Sequence, residues 1–332
     1  MVDYGNVINV GIGMIIIIGI GFFMSKKGIF IQKDSAPVNL FVFKVCFFFL
    51  LARALASRKL SELDFRPFLI AGLMCICVFI VFTLIFAFPL KEKFALYISS
   101  VLPATYINYI ISGIPIFNSL WPEKENVMVS LMTLSNDIVT APIFLILVGF
   151  YNVKQLNKKR IEEGLEPEEF SFSVLGKILL NVIKSPILLG NILGMLYSLT
   201  GLKVPVFLQK LMQYMGDTAL PLALFGVGVF LAQHSLMSCH WLQFALCAIG
   251  RFFVGSTFAA IFCYLLKLPP RLSRQCIIIG AQPTAVATYV LSSSAGIGQN
   301  VASTMIFWTT ILTVPVIIAW FSILDGLGLF IE

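Results

Sequence analysis

Two stretches decide the fold: Asn108-Tyr-Ile-Ile-Ser-Gly113-Ile-Pro115 and Gln282-Pro283-Thr284. Each sets polar, helix-disrupting residues near the middle of a long apolar run. A backbone in contact with lipid must satisfy all its own hydrogen bonds, so a break at membrane depth survives only where it lines a cavity or is buried in protein. Breaks in corresponding segments of two halves are the best sequence pointer to a transporter's binding site.

The surrounding chain supports that setting. Of its 332 residues, 59% are hydrophobic and 12% are charged, against about a quarter charged in a soluble domain. A membrane span needs roughly 20 apolar residues. Ten such stretches can be drawn, at about 4–24, 36–56, 67–90, 94–119, 126–151, 173–199, 205–237, 241–266, 273–294 and 300–324, and they nearly exhaust the length. The expected fold class is an all-α polytopic membrane protein with ten transmembrane helices, the fourth and ninth broken. The first run is expected to be a retained span, because no positive charge precedes it and it extends to Phe23 before Lys26 and Lys27, unlike a signal peptide.

The net charge of +7 does not imply a nucleic-acid partner. The basic residues form no stripe and sit in short connections at the ends of spans, where membrane proteins place them. The seven cysteines, at 46, 75, 77, 239, 247, 263 and 276, lie in or beside apolar spans without C-x-x-C spacing, and are expected to be small apolar core residues. His234 and His240 are the only histidines and lack a supporting ligand cluster, so no metal is expected. No P-loop occurs to power ATP-driven pumping, no nucleophile–base pair stands out, and no cofactor is implied.

The longest polar connection, Asn152 to Glu169, divides the chain into a first unit (1–151), a short loop (152–171) and a second unit (172–332). The two units carry traces of one pattern. A shift of 173 residues superimposes Ile138 on Ile311, Thr140 on Thr313 and Pro142 on Pro315, and a shift of 174 brings Glu125-Asn-Val127 onto Gln299-Asn-Val301. Five spans is an odd number, so the two repeats are expected to be inverted. Lys and Arg divide almost evenly between the two sides, nine in odd-numbered connections and ten in even-numbered ones. Lys26 and Lys27 after the first span break the tie toward non-cytosolic N- and C-termini and a cytosolic central loop.

Asn108-x4-Gly113-x-Pro115, the run from Asp217-Thr-Ala-Leu-Pro221 through Gly228 to Gln233, Gln282-Pro283-Thr284-Ala-Val-Ala-Thr-Tyr-Val, and Arg251 in span 8 together resemble the auxin efflux carrier family, which includes the PIN-formed carriers and bacterial relatives. The resemblance covers most of the chain, most strongly 102–150 and 217–320. Span 2 reads Lys44-Val-Cys-Phe-Phe-Phe-Leu-Leu without the proline usual there, and Ile107 precedes the span 4 Asn where some members have Pro. The long central loop of many plant members is missing. The resemblance implies a crossover of spans 4 and 9, a transport domain moving against a scaffold, a small organic anion as substrate, a homodimer, and a plasma or endoplasmic reticulum membrane.

Half-helix N-termini aimed at such a crossing each carry about half a positive charge, which suits a carboxylate. Asn108 is the candidate amide donor to substrate, against a role in binding freed carbonyls. Gly113 is expected to allow close backbone approach, and Pro115 and Pro283 to hold the helices open. Gln282 and Thr284 are polar candidates at the second break. Ser135 and Asn136 lie where the family presents polar groups to substrate. Among ionisable residues within spans, Asp137 is the candidate proton relay, with a structural ion pair to Lys44 as the rival. Asp217 suggests an N-cap before Pro221. Lys177 and Lys184 are expected to snorkel to the cytosolic face. Arg251 is either a hydrogen-bonder or an attractor for anions.

The functional expectation is a secondary carrier exporting a small organic anion, auxin-like or another carboxylate. Two alternatives stay open: a small-molecule sensor without net transport, and an ion-coupled symporter of the bile-acid type. The symporter would want several carboxylates near the breaks, where only Asp137 stands.

Overall fold

The structure is a computed structural model that describes residues 4–59, 63–87, 93–163, 165–166, 176, 180 and 183–331. Among the described residues it is entirely helical, with no strand. The helices are α1 (Tyr4–Lys26), α2 (32–56), α3 (Arg66–Phe86), α4 (Lys93–Thr105), α5 (Tyr109–Leu120), α6 (127–162), α7 (Pro186–Leu199), α8 (Val206–Ala232), α9 (Trp241–Leu265), α10 (Pro270–Gly280), α11 (Ala287–Ala295) and α12 (Gln299–Gly326).

Seven helices among the described residues are long and apolar enough to cross a membrane. They are α1, α2, α3, α6, α8, α9 and α12, with α6 counted from the 3₁₀ turn that leads into it. Two shorter apolar helices, α5 and α7, accompany them. The chain is thus a polytopic helical membrane protein. The fourth and ninth expected spans are each split into two short helices, α4 with α5 and α10 with α11. Most of the first half of the sixth, including Lys177, lies outside the described residues.

The helices sort into two packed groups. In one, α1 runs along α8, and α2 packs against both α7 and α8. Lipid tails are as apolar as leucine, so such contacts rest on close fit rather than on the hydrophobic effect. The fit at α1–α8 is closest where two glycines meet the facing backbone: a β-carbon on Gly21 would lie 2.2 Å from the Phe225 carbonyl oxygen, and one on Gly228 2.0 Å from that of Ile18. In the other group, α3 packs on α4, α6 and α9, α9 on α10, and α12 on α4 and α11. Its centre is filled by Ile98, Leu102, Ile277, Ile278, Ile279, Ala302 and Met305. The groups meet where α1 touches α5 and α12, where α8 touches α5, and where α2 and α7 touch α6. Large apolar side chains face outward, as on α1 at Ile8, Ile12, Ile15, Ile16 and Phe23, the pattern of helices solvated by lipid.

Three local expectations are corrected. Residues 152–162 are not a loop: α6 continues to Glu162, because Lys, Gln, Leu, Arg and Ile favour helix and no Gly or Pro intervenes. Asp217 is not an N-cap. It lies inside α8, which runs unbroken through Pro221; the proline removes only one backbone bond, and neighbouring helices let a membrane helix absorb that loss. Gly113 is not required for close approach, since a β-carbon there would make an ordinary 3.5 Å contact with Gln282 Cγ.

Candidate functional site

The two breaks lie against each other, and each supplies what the other lacks. The Asn108 N–H donates to the Pro283 carbonyl at 2.8 Å, and the Ala285 N–H to that of Tyr106 at 3.1 Å. They form an isolated antiparallel bridge between Ile107 and Thr284. Pro283 forces the second break: it has no N–H, and it disfavours a helical Gln282 before it.

The freed carbonyls at the C-terminal ends of α4 and α10 are all accounted for, as buried backbone requires. On α4, the Pro103 oxygen accepts from the Thr284 hydroxyl at 2.7 Å, that of Ala104 from Arg251 Nη1 at 3.0 Å, and that of Thr105 from Cys75 Sγ at 3.4 Å. On α10, the Ile277 oxygen accepts from the Ala281 N–H, that of Ile278 from Gln282 Nε2, that of Ile279 from the Gln282 N–H, and that of Gly280 from Arg251 Nη2 at 2.7 Å. One guanidinium, 1% exposed, therefore joins the ends of both half-helices.

Two further side chains hold the extended segments. Asn136 grips the Ile107 peptide, donating from Nδ2 to its carbonyl at 2.7 Å and accepting its N–H on Oδ1 at 3.2 Å. Thr309 Oγ1 accepts the Thr284 N–H at 3.0 Å. Ser112 Oγ lies 3.0 Å from both the Asn108 carbonyl and Gln282 Oε1, tying α5 to the second break. The Ser135 hydroxyl donates to the Met132 carbonyl. Ser135, Asn136, Gln282 and Thr284 are all buried and spend their side chains on protein.

Asn108 is buried as well and differs in its bonding. It caps α5, its Oδ1 accepting the Ile111 N–H at 3.2 Å. That contact fixes the carboxamide orientation and leaves Nδ2 without a partner among the described residues. Pro115 is the seventh residue of α5, directly after the π turn Tyr109–Gly113, and removes one backbone donor there.

Asp137 lies one residue beyond Asn136 and accepts hydrogen bonds from the Tyr106 hydroxyl at 3.3 Å and the Ser185 hydroxyl at 2.6 Å. It thus links α6 to the residue that precedes α7, in the other helix group. The rival reading, an ion pair with Lys44, is not made, because Lys44 lies on the exposed side of α2. Asp217 pairs instead with Arg53, at 2.9 Å. Lys184 is exposed. His240 caps α9 by accepting the Leu242 N–H, and His234 Nδ1 contacts the Phe230 carbonyl. No metal-ligand cluster occurs among the described residues.

Ser112, Thr309, Tyr106 and Ser185 also belong to the site and are not marked by the local sequence pattern. Thr309 was within reach, since it stands 173 residues after Asn136, the spacing of the repeat. Nor does the pattern mark the π-helical turns at Val42–Cys46, Tyr109–Gly113, Asn136–Thr140 and Gly250–Val254. The last three carry or adjoin Asn108, Asn136 and Arg251, in keeping with the use of π turns at functional sites.

A family model described as "Membrane transport protein" matches residues 7–321. The chain belongs to that family, the family of the auxin efflux carriers, which are membrane transporters and not enzymes. Similar curated proteins include "Probable auxin efflux carrier component 1b" of Oryza sativa subsp. japonica, 22% identical over 53% of this chain and 34% of that protein. "Auxin efflux carrier component 8" of Arabidopsis thaliana is 23% identical over 45% of this chain and 41% of its own length. "Auxin efflux carrier component 5" of Arabidopsis thaliana is 21% identical over 71% of this chain and 72% of its own. The matches to the first two therefore span less than half of those relatives.

Proposed function

We propose that the protein is a secondary carrier that exports a small organic anion, auxin-like or another carboxylate, by alternating access at the paired breaks. The observation that carries this reading is Asn108. Its oxygen is spent on capping α5, and its Nδ2 stays open beside a helix N-terminus. An amide donor next to an N-terminal partial positive charge suits a carboxylate oxygen. Ser135, Asn136, Gln282 and Thr284 frame the site around it. Gly113, Pro115 and Pro283 shape the backbone. The names of the relatives support efflux of an auxin-like acid.

In this proposal the chain makes ten spans in two inverted five-span repeats, 1–151 and 172–332, joined by 152–171. Spans 4 and 9 cross. Asn136 and Thr309 stand 173 residues apart, the spacing of the repeat, and each holds the break of its own half, which supports the repeat. The group α1, α2, α7 and α8 serves as a scaffold, and the remaining helices move against it. A negative-inside potential favours anion exit by about 2.3 kcal/mol per charge per 100 mV, so no coupling ion is required. Asp137 serves as a proton relay at the boundary between the groups. The carrier works as a homodimer in the plasma membrane or endoplasmic reticulum, with non-cytosolic termini.

The test is efflux of labelled indole-acetate, malate and benzoate from proteoliposomes containing wild type, Asn108→Ala or Asn108→Asp. Asn108→Asp keeps the oxygen that caps α5 and adds a charge that repels a carboxylate. Saturable efflux in wild type, lost in both variants, is the expected result. Normal flux in Asn108→Ala would remove the site, and binding without flux would favour a sensor.

A further inference from the structure

We infer that Arg251 sets the electrostatic sign of the paired breaks: it cancels the negative ends of α4 and α10, so that the positive ends of α5 and α11 are left to an anion. The inference rests on the carboxylate reading above and adds to it the residue that makes the site anion-selective.

Four helix ends meet at the breaks. Two are C-terminal, closing α4 at Thr105 and α10 at Gly280, and two are N-terminal, opening α5 at Tyr109 and α11 at Ala287. Each end carries about half an elementary charge, negative at a C-terminus and positive at an N-terminus. Left alone, the four would roughly cancel, and the site would prefer neither sign of ligand. Arg251 adds one positive charge, and its geometry directs it to the C-terminal pair. Nη1 donates to Ala104 in the last turn of α4, and Nη2 to Gly280, the last residue of α10.

Nothing else competes for that charge. The guanidinium is buried, and it has no carboxylate partner among the described residues. Nε has no hydrogen-bond partner either, so the charge is spent on the two carbonyls alone. A buried unpaired arginine is costly, and a protein keeps one inside a membrane for a role. The planar fork suits two acceptors held side by side, which a lysine would reach singly. Glycine at 255 leaves the space, since a β-carbon there would come within 3.3 Å of Nη2. Arg251 is thus a positioning and specificity-setting residue that does not touch the substrate.

A purely structural role for Arg251 makes a different prediction. It would lower stability and lower the handling of charged and neutral ligands alike. The electrostatic role couples Arg251 to any negative charge placed at the mouth of α5, with or without substrate. The test is therefore a double-mutant cycle on thermal unfolding of the full chain in detergent, using Asn108→Asp and Arg251→Gln, with Arg251→Lys alongside. The expected result is that Asn108→Asp is tolerated in wild type and in Arg251→Lys, and lowers the melting temperature markedly in Arg251→Gln. Additive shifts would overturn the inference. Should Arg251→Gln not fold, Arg251→Lys decides: a greater loss from Asn108→Asp there than in wild type would overturn it.

The same proteins are then assayed with indole-acetate and its neutral amide, indole-acetamide. The preference for the acid should fall about tenfold in Arg251→Gln, as expected for removing a unit charge from a partly polar interior near the site, and persist in Arg251→Lys. An undiminished preference in Arg251→Gln would overturn the inference with the carboxylate reading intact. Absence of any acid preference in wild type would instead end the carboxylate reading, and the ligand-free cycle would still judge Arg251.

Discussion

Asn136 holds the Ile107 peptide from both sides, taking its N–H at 3.2 Å and giving to its carbonyl at 2.7 Å. The pair does for one extended residue what a neighbouring strand would do. Asn136→Ala leaves both groups buried and unpaired, at a cost of about 1–3 kcal/mol for each. The expected outcome is a lowered melting temperature in detergent together with loss of flux. Asn136→Asp keeps the acceptor and sets an oxygen against the Ile107 carbonyl, so it should rescue neither property. A variant with wild-type stability would show that Ile107 finds other partners.

Asp137 stands at the boundary between the helix groups, held by Tyr106 and Ser185. Replacing it with Asn keeps the size and removes the titrating group. Asp137→Asn is expected to flatten the pH dependence of efflux, measured in proteoliposomes between pH 5 and 8 with the potential clamped. An unchanged profile would take Asp137 out of the transport cycle and leave it a purely structural acceptor.

The α1–α8 contact makes a sharper stability prediction. Gly228→Val forces a side chain onto the Ile18 backbone, where even the β-carbon would sit at 2.0 Å. The two helices must separate, and a cost of 1–3 kcal/mol is a lower estimate for overpacking of about this kind. Gly13→Ala on the same α1 meets nothing within 4 Å and should melt like wild type. Equal melting of the two variants would show that α1 and α8 do not pack as described.

Outside the spans, Asp64 carries a pH prediction. The hydrogen bond from Arg66 holds its carboxyl below the usual aspartate range, with Nη2 at 2.5 Å from Oδ2. A lowered folded pKa means stability that is present above the unfolded value, about 3.9, and lost as pH falls through the folded value. Both side chains are about a third exposed, so the contribution is small, below about 1 kcal/mol. Asp64→Asn should melt slightly below wild type at pH 7 and together with it once the pH is below the folded value. A gap that persists in acid would point to packing rather than charge.

The breaks were legible in the sequence because proline and polar residues at mid-span have few other uses. Their partners were only half legible. Asn136 and Asp137 were singled out as polar residues in a span, but nothing local says that one clamps a peptide while the other faces across a boundary. Asp217 misled because aspartate is a good N-cap residue and the proline after it reads as a break, while in a membrane helix the proline is tolerated without one. The rival pairing of Lys44 with Asp137 stayed open in the sequence because opposite charges within spans invite pairing, while only the packed structure shows that Lys44 turns outward. The chain from 152 to 162 misled by its charge: those residues are polar and also good helix formers, and propensity won.

The π turn at Asn136–Thr140 has a consequence for the chain as a heritable text. A π turn completes about one turn with one residue more than an α-turn needs, so it re-aims the side chains within it while the flanking segments keep their phase. Deleting a single residue from this turn would let α6 close into uninterrupted α-helix and re-aim the side chains at the turn. Asn136 would lose Ile107, or Asp137 would lose Ser185. The same holds at Gly250–Val254, where Arg251 would leave its two carbonyls. These places look featureless as letters, yet they are where a one-codon deletion should be purged, while the connections between helices tolerate length change freely. The working geometry is stored as much in the count of residues as in their identity.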